Sequence, residues 1–222
     1  LNFIGLINFK CAQISSSFIF EIITLDNFLT DKKAIDSTIT FTEGDLKNIS
    51  ISPSSKVTSQ MNEYTFNFQI TNKLEINSEI IINFPNDIIV NSGQDDTNYK
   101  CDLKISSKII NGFKCNLHQN LITVSNFNTS ENIDENAIFT IIVYNVQNKR
   151  NLLESGLFFI STKSPSNCKK DKNKNDLKVK SEISSKIDSI TIIPDNNLNG
   201  EVTNYSIAIK PGSKIIKSDI LK

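Results

Sequence analysis

The chain has 222 residues, 38% of them hydrophobic, and its 24 Lys and Arg residues balance its 24 Asp and Glu residues. This length fits one large or two small domains, and the apolar fraction suits a β-sandwich core. A net charge of zero gives no electrostatic reason to expect nucleic acid or an anionic membrane as a partner. No apolar run approaches the ~18 residues of a membrane helix.

Residues 1–47 resemble the second half of the unit that follows them. The tripeptide Phe-Lys-Cys at 9–11 recurs at 113–115, and the apolar run at 19–23 recurs at 138–142. The opening residues could also be the end of a secretory signal peptide with Ala12 at the cleavage site. The repeated segments favour a position inside a domain, so we predict that residues 1–47 are the C-terminal half of a repeat.

One complete unit is predicted from residue 48 to residue 163, and its clearest feature is a strand with one buried face. Tyr64, Phe66 and Phe68 alternate with polar residues, and a period of two predicts a half-buried strand. A polar turn and an apolar run at 80–84 follow. We therefore expect a hairpin that joins these two strands.

The same pattern begins again near the C-terminus. Tyr205, Ile207 and Ile209 alternate with polar or small residues, and residues 190–194 repeat residues 49–53, each ending in proline. Proline cannot donate to a ladder and marks a strand end. The repetition predicts a tandem array of β-domains, with residues 188–222 as the N-terminal half of the next repeat.

The complete unit has the pattern of an all-β domain. About seven or eight short strands separated by polar turns are typical of a Greek-key, immunoglobulin-like sandwich. No stretch has a convincing helical period, so helices should be short or absent. Residues 164–187 are rich in Lys and Asn, and we predict a solvated linker or loop there, with a basic contact surface as the alternative.

Both ends of the chain are predicted to be incomplete, since a few strands cannot cover their own inner face or edges. The missing halves could lie in the same polypeptide. Alternatively, the C-terminal half of one subunit is completed by the N-terminal half of the next, and such a head-to-tail contact builds a filament.

The four cysteines have no metal-binding spacing. Cys101 and Cys115 are the pair expected to form a disulfide, because Cys101 begins the strand pair that leads to Cys115. A catalytic pair of Cys115 with His118, the single histidine, is the alternative. Cys11 and Cys168 stay unassigned: Cys11 could bond to Cys168, to residues outside this sequence or to a neighbouring subunit.

Three Asn-x-Ser/Thr sequons, at Asn48, Asn128 and Asn204, would accept N-glycans in a secreted protein. Together with sparse, distant cysteines they favour an extracellular or cell-surface location. No catalytic residue and no cofactor are expected. Calcium is the one ion considered, for the acidic residues at 95–96 and at 131–135, although neither cluster has a recognisable ligand spacing.

The motifs of the unit follow one another as Y-x-F-x-F, F-P, C…C, N-x-I/L-x-V and F-x-I-x-V. They are carried by Tyr64, Phe66, Phe68, Phe84-Pro85, Cys101, Cys115, Asn120, Ile122, Val124, Phe139, Ile141 and Val143. In this order they resemble the tandem immunoglobulin-like repeats of large surface and filament proteins of ciliates and related protists. The resemblance implies a structural or adhesive role and has no catalytic residues to carry over.

Two functional hypotheses follow. The first is a non-enzymatic, N-glycosylated subunit of an extracellular or ciliary-surface filament that associates with itself head to tail. Its completing strands would be centred on Phe18, Phe20 and Ile22 at one end and on Tyr205, Ile207 and Ile209 at the other. The second is an adhesion or carbohydrate-binding module with ligand contacts in the loops at 91–98 and 126–136.

Overall fold

The computed structural model describes residues 13–14, 18–23, 29–35, 40–90, 96–128, 130–184, 186–197, 200, 202–212, 215 and 220. These residues contain strands and no helix, which confirms the all-β prediction. The strands are β1 (Gln13–Ile14), β2 (Phe18–Ile23), β3 (Leu29–Ile35), β4 (Thr40–Phe41), β5 (Gly44–Asp45), β6 (Lys47–Pro53), β7 (Met61–Gln69), β8 (Glu79–Asn83), β9 (Ile89–Val90), β10 (Cys101–Ile105), β11 (Lys108–Ile109), β12 (Lys114–His118), β13 (Leu121–Ser125), β14 (Ile138–Gln147), β15 (Phe159–Lys163), β16 (Lys169–Lys172), β17 (Ile187–Pro194) and β18 (Tyr205–Pro211).

Two six-stranded sheets contain most of these strands. The first has the order β11-β10-β14-β7-β6, with β9 also paired to β14, and the second has the order β12-β13-β8-β15-β16-β5. All pairs in them are antiparallel except β16 with β5. The remaining described strands form separate two-stranded sheets, β1-β4, β2-β3 and β17-β18.

The core lies where the alternating apolar faces of the two sheets meet. Tyr64, Phe66 and Phe68 of β7 are fully buried, as are Ile80 and Ile82 of β8 in the opposite sheet. The neighbours of these residues along each strand are more exposed, as the period of two requires. Burying one apolar face from each sheet is the main source of stability.

Aromatic rings bridge the two sheets. Phe66 of the first sheet packs edge-on against Phe84, with ring centroids 5.4 Å apart, and lies 6.0 Å from Phe158. Phe84 and Phe158 are themselves 5.4 Å apart and also edge-on. Such tilted arrangements match the quadrupoles of the rings and add to the energy of burial.

The predicted hairpin between the Tyr64 strand and the run at 80–84 is wrong. Strand β7 lies in the first sheet and β8 in the second, so the segment between them passes from one sheet to the other, and its residues Ile70 and Leu74 are buried. A hairpin would put both apolar faces on one side of a single sheet. The sandwich requires them to face each other.

The prediction that residues 164–187 form a solvated linker or loop is also wrong. Strand β16 extends the second sheet beside β15, and residues further along form bridges to the sandwich at Leu177, Lys180 and Ile183. This segment therefore belongs to the sandwich that was predicted to end at residue 163.

Replacing Phe158 by alanine is expected to lower the free energy of unfolding by about 3–5 kcal/mol, because it removes a fully buried ring and leaves a cavity. Its neighbour Phe159 is 53% exposed, and Phe159→Ala is the matched control, with an expected change of about 0.5–1 kcal/mol. Urea denaturation followed by circular dichroism measures both. Equal losses for the two variants would contradict the position of the core.

Candidate assembly interface

The C-terminal hairpin β17–β18 repeats the register of the hairpin β6–β7 in the sandwich. Pro53 lies opposite Tyr64 in the first hairpin, and Pro194 lies opposite Tyr205 in the second. The equivalent pairs continue along both ladders as Ser52↔Thr65 with Ile193↔Ser206, and Ile51↔Phe66 with Ile192↔Ile207. The similarity found in the sequence therefore extends to backbone pairing.

In the sandwich, the inner face and the second edge of β7 are both covered. Phe84 and Phe158 of the opposite sheet pack on the rings of Tyr64 and Phe66. The edge of β7 that faces away from β6 forms a long antiparallel ladder with β14. These contacts leave no exposed surface on Tyr64 or Phe66.

The same face of the C-terminal hairpin is open. Tyr205 is 62% exposed, and Ile192 and Ile207 are each 58% exposed. Among the described residues, β18 is paired with β17 alone. Large apolar side chains grouped on one side of an uncovered hairpin are characteristic of an interaction surface. Because the equivalent residues of β7 are fully buried and those of β6 are partly buried, this surface is a candidate assembly interface.

The tyrosine hydroxyl shows the same difference between the two hairpins. The Tyr64 hydroxyl donates to Asn148 Oδ1 at 2.7 Å, and the Asn148 amide donates in turn to the carbonyls of Ser55 and Val57. Burial, with a further contribution from the charge of Asp87, raises the pKa of Tyr64 above its ordinary value. The equivalent residue of the second hairpin, Tyr205, lies mostly in solvent.

The chain that leads to this hairpin is anchored to the sandwich by a buried carboxylate. Asp171 in β16 is fully buried and accepts hydrogen bonds from the Thr71 hydroxyl at 2.6 Å and from the side-chain and backbone nitrogens of Asn72 at 2.8 and 3.2 Å. An ideal Cβ at Gly44 would lie only 2.4 Å from Asp171 Oδ1, so glycine is required at this close approach in β5.

A second anchor follows at Asn173. Its side chain accepts from the backbone nitrogen of Ile160 at 2.6 Å and donates to the carbonyls of Phe158 and Asn175. Sequence reasoning missed both anchors. The surrounding residues are mostly Lys and Asn, and no periodic signal distinguishes Asp171 or Asn173 from solvated neighbours.

The three predicted glycosylation sites differ in their exposure to solvent. Asn48 and Asn204 have exposed side chains. Asn128 is only 4% exposed, and its amide nitrogen donates to the carbonyl of Glu75 at 2.5 Å. A glycan on Asn128 would require this loop to open, so the structure favours Asn48 and Asn204. Asn204 immediately precedes β18.

A disulfide joins Cys101 of β10 to Cys115 of β12, the pair predicted from the sequence. The bridge links the two sheets. It also removes the thiolate that a catalytic pair of Cys115 with His118 would need. The described residues contain no free cysteine, so Cys168 has no free thiol. Cys11 lies outside the described residues, as does the signal-peptide alternative at residues 1–12.

The loop at 126–136, which was considered for ligand binding, is packed against the sandwich. Ile133 pairs with Leu74, and Lys73 Nζ lies 3.0 Å from Asp134 Oδ1. The aromatic residue of this loop, Phe127, is buried and packs edge-on against Phe139. The loop therefore presents no aromatic platform for a sugar. Residues 91–95 of the other loop lie outside the described residues.

Two general findings apply to the part of the chain that the structure describes. It contains no cluster of three or more His, Cys, Asp or Glu side chains arranged to hold a metal ion. It also contains no helix whose length and apolar character would allow it to cross a membrane.

Replacing Asp171 by alanine is expected to lower the free energy of unfolding by about 1–3 kcal/mol, because the partly buried hydrogen bonds from Thr71 and Asn72 lose their charged acceptor. Asp176 lies in the same segment with an exposed side chain, and Asp176→Ala should change the stability by less than about 0.5 kcal/mol. Chemical denaturation of the two variants tests the anchor. A loss for Asp171→Ala no larger than that for Asp176→Ala would contradict it.

No protein-family model matches the chain, and no curated protein matches it significantly.

Proposed function

We propose that this chain is a structural subunit of an extracellular or cell-surface filament, built from immunoglobulin-like sandwiches joined head to tail. Its incomplete hairpin is completed by a neighbouring subunit or by more of the same chain. The observation that carries the proposal is the hairpin β17–β18, which has the register of β6–β7 but to which the described part of the chain adds none of the strands that cover β7. An open hairpin of this kind is marginally stable until it is covered.

The arrangement of the strands supports an immunoglobulin-like assignment with one modification. The order β6-β7-β14-β10 corresponds to the A-B-E-D sheet of an immunoglobulin domain, and β8-β15-β16 corresponds to C-F-G. The hairpin β12–β13 is inserted between the strands in the D and E positions and extends the second sheet beside β8. The Cys101–Cys115 bridge ties this inserted hairpin to the first sheet.

The pairing of β5 with β16 suits a load-bearing role. The two strands are parallel, with β5 at the start and β16 near the end of the sandwich. Tension that pulls the two ends of the sandwich apart would act along β5 and β16 in opposite directions and shear the contacts between them. Several of these contacts would then have to break together. These contacts include Leu46 N to the Lys172 carbonyl at 3.0 Å and Lys174 Nζ to Asp45 Oδ2 at 2.6 Å.

A disulfide and two exposed sequons support the proposed extracellular location. Disulfides persist in oxidising compartments, and the Cys101–Cys115 bridge fits such a setting. The exposed sequons at Asn48 and Asn204 leave room for glycans.

The proposal predicts that the purified chain self-associates with increasing concentration and that Ile207→Asp weakens the association at least about tenfold, because a charge would be buried in an apolar contact. Sedimentation velocity measures the dissociation constant. Ile109→Asp is the matched control, since Ile109 is similarly exposed but lies on β11, away from the hairpin. It should leave the association unchanged.

Two results would count against the proposal. The first is a wild-type chain that stays monomeric at every accessible concentration, because the open hairpin would then not be completed by a neighbouring subunit. The second is association that the Ile207→Asp and Ile109→Asp substitutions weaken equally, because the contact would then not involve the hairpin face.

A further inference from the structure

The free edge of β18 corresponds to an edge that β14 occupies in the sandwich. There β14 pairs antiparallel with β7, with Phe139 opposite Phe68 and Ile141 opposite Phe66. On the outer side of the same ladder, the Thr140 hydroxyl donates to Asn67 Oδ1 at 2.8 Å. A strand that completes β18 should therefore be antiparallel and apolar at alternate positions, with a polar residue between them.

Strand β2 meets this requirement and is the described strand in which the sequence pattern of β14 recurs. Strand β2 has the sequence FIFEII, and its residues 19–23 repeat the pattern of residues 138–142 in β14. Among the described residues β2 pairs with β3 alone, and its second edge has no described strand as a partner. Within one chain, β2 and β18 lie in separate two-stranded sheets.

We propose that β2 of a second copy of this chain adds to the free edge of β18, antiparallel and in the register that β14 takes on β7. This proposal rests on the proposed function and names the occupant of the open hairpin. Transferring the register places Ile22 opposite Ile207, Glu21 opposite Ala208 and Phe20 opposite Ile209. Main-chain hydrogen bonds would supply affinity, and the apolar residues would supply the register.

Charge supports the same register. The single charged residue in the β2 sequence is Glu21, and the single charged residue of β18 is Lys210, two positions beyond Ala208. In the proposed ladder these opposite charges are diagonal neighbours on the outer side, a favourable arrangement. Slipping the ladder by one residue would move Glu21 to the apolar side of the hairpin, opposite Ile207 or Ile209.

Such a contact joins the N-terminal region of one copy to the C-terminal region of the next. The two surfaces differ, so the contact is heterologous, and it extends into an open filament where the rotation does not close a ring.

The test is a cross-linking experiment between two single variants. Full-length chains with Glu21→Cys are mixed with chains carrying Ala208→Cys under mild oxidation. Directly opposite residues on paired strands lie within disulfide range, so the mixed dimer should form at least about tenfold more than with Lys108→Cys in place of Ala208→Cys. Lys108 is exposed on β11 and serves as the control. Non-reducing gels give the yield, and mass spectrometry identifies the linked peptides.

Three results separate the possibilities. Equal yields with Ala208→Cys and Lys108→Cys, from chains that still self-associate, would overturn this register and leave head-to-tail assembly standing. A Glu21→Cys, Ala208→Cys double variant that forms the bridge within one chain at high dilution would overturn the assignment to a second copy. Chains that neither cross-link nor associate would overturn both proposals.

Discussion

The inner face of β7 is the constraint on which the rest of the structure depends. Its aromatic side chains reach full burial only when β6 and β14 flank the strand and β8 and β15 cover it from the opposite sheet. Each of those strands has the same alternation, so every inner face finds a partner. Among the described residues, the hairpin β17–β18 has the first of these contacts, the pairing within the hairpin, and none of the others. Its isoleucines and tyrosine, which correspond to buried residues of the sandwich, therefore remain exposed to solvent.

Hydrogen bonds of polar side chains hold the last segment of the sandwich in place. Asp171 accepts from the Thr71 hydroxyl and Asn173 accepts from the buried backbone nitrogen of Ile160, and these bonds hold a segment with almost no apolar residues against the second sheet. Asn148 plays a similar role around Tyr64. The chain therefore leaves the sandwich only after its bridges near Lys180 and Ile183, shortly before β17 begins.

Much of this fold could be predicted from alternation alone. The buried residues of β7 and β14, the strand at Leu121–Ser125 and the Cys101–Cys115 pair all follow from local patterns. The position of β8 in the opposite sheet could not be predicted, because the same turn residues can join two strands of one sheet or two strands of different sheets. The packing of Asp171 depends on partners about a hundred residues away, and composition alone indicates a solvated loop there. The exposure of Asn48 and the burial of Asn128 are likewise invisible in a sequon.

Hydrogen exchange of the β18 amides at low and high protein concentration tests the central claim most directly. If the hairpin is an uncovered beginning of a second sandwich, its backbone amides exchange rapidly in dilute monomer and become protected as chains associate, while those of β7 are protected throughout. Protection of β18 that is already complete in dilute monomer would contradict the account, as would associated chains in which β18 stays unprotected.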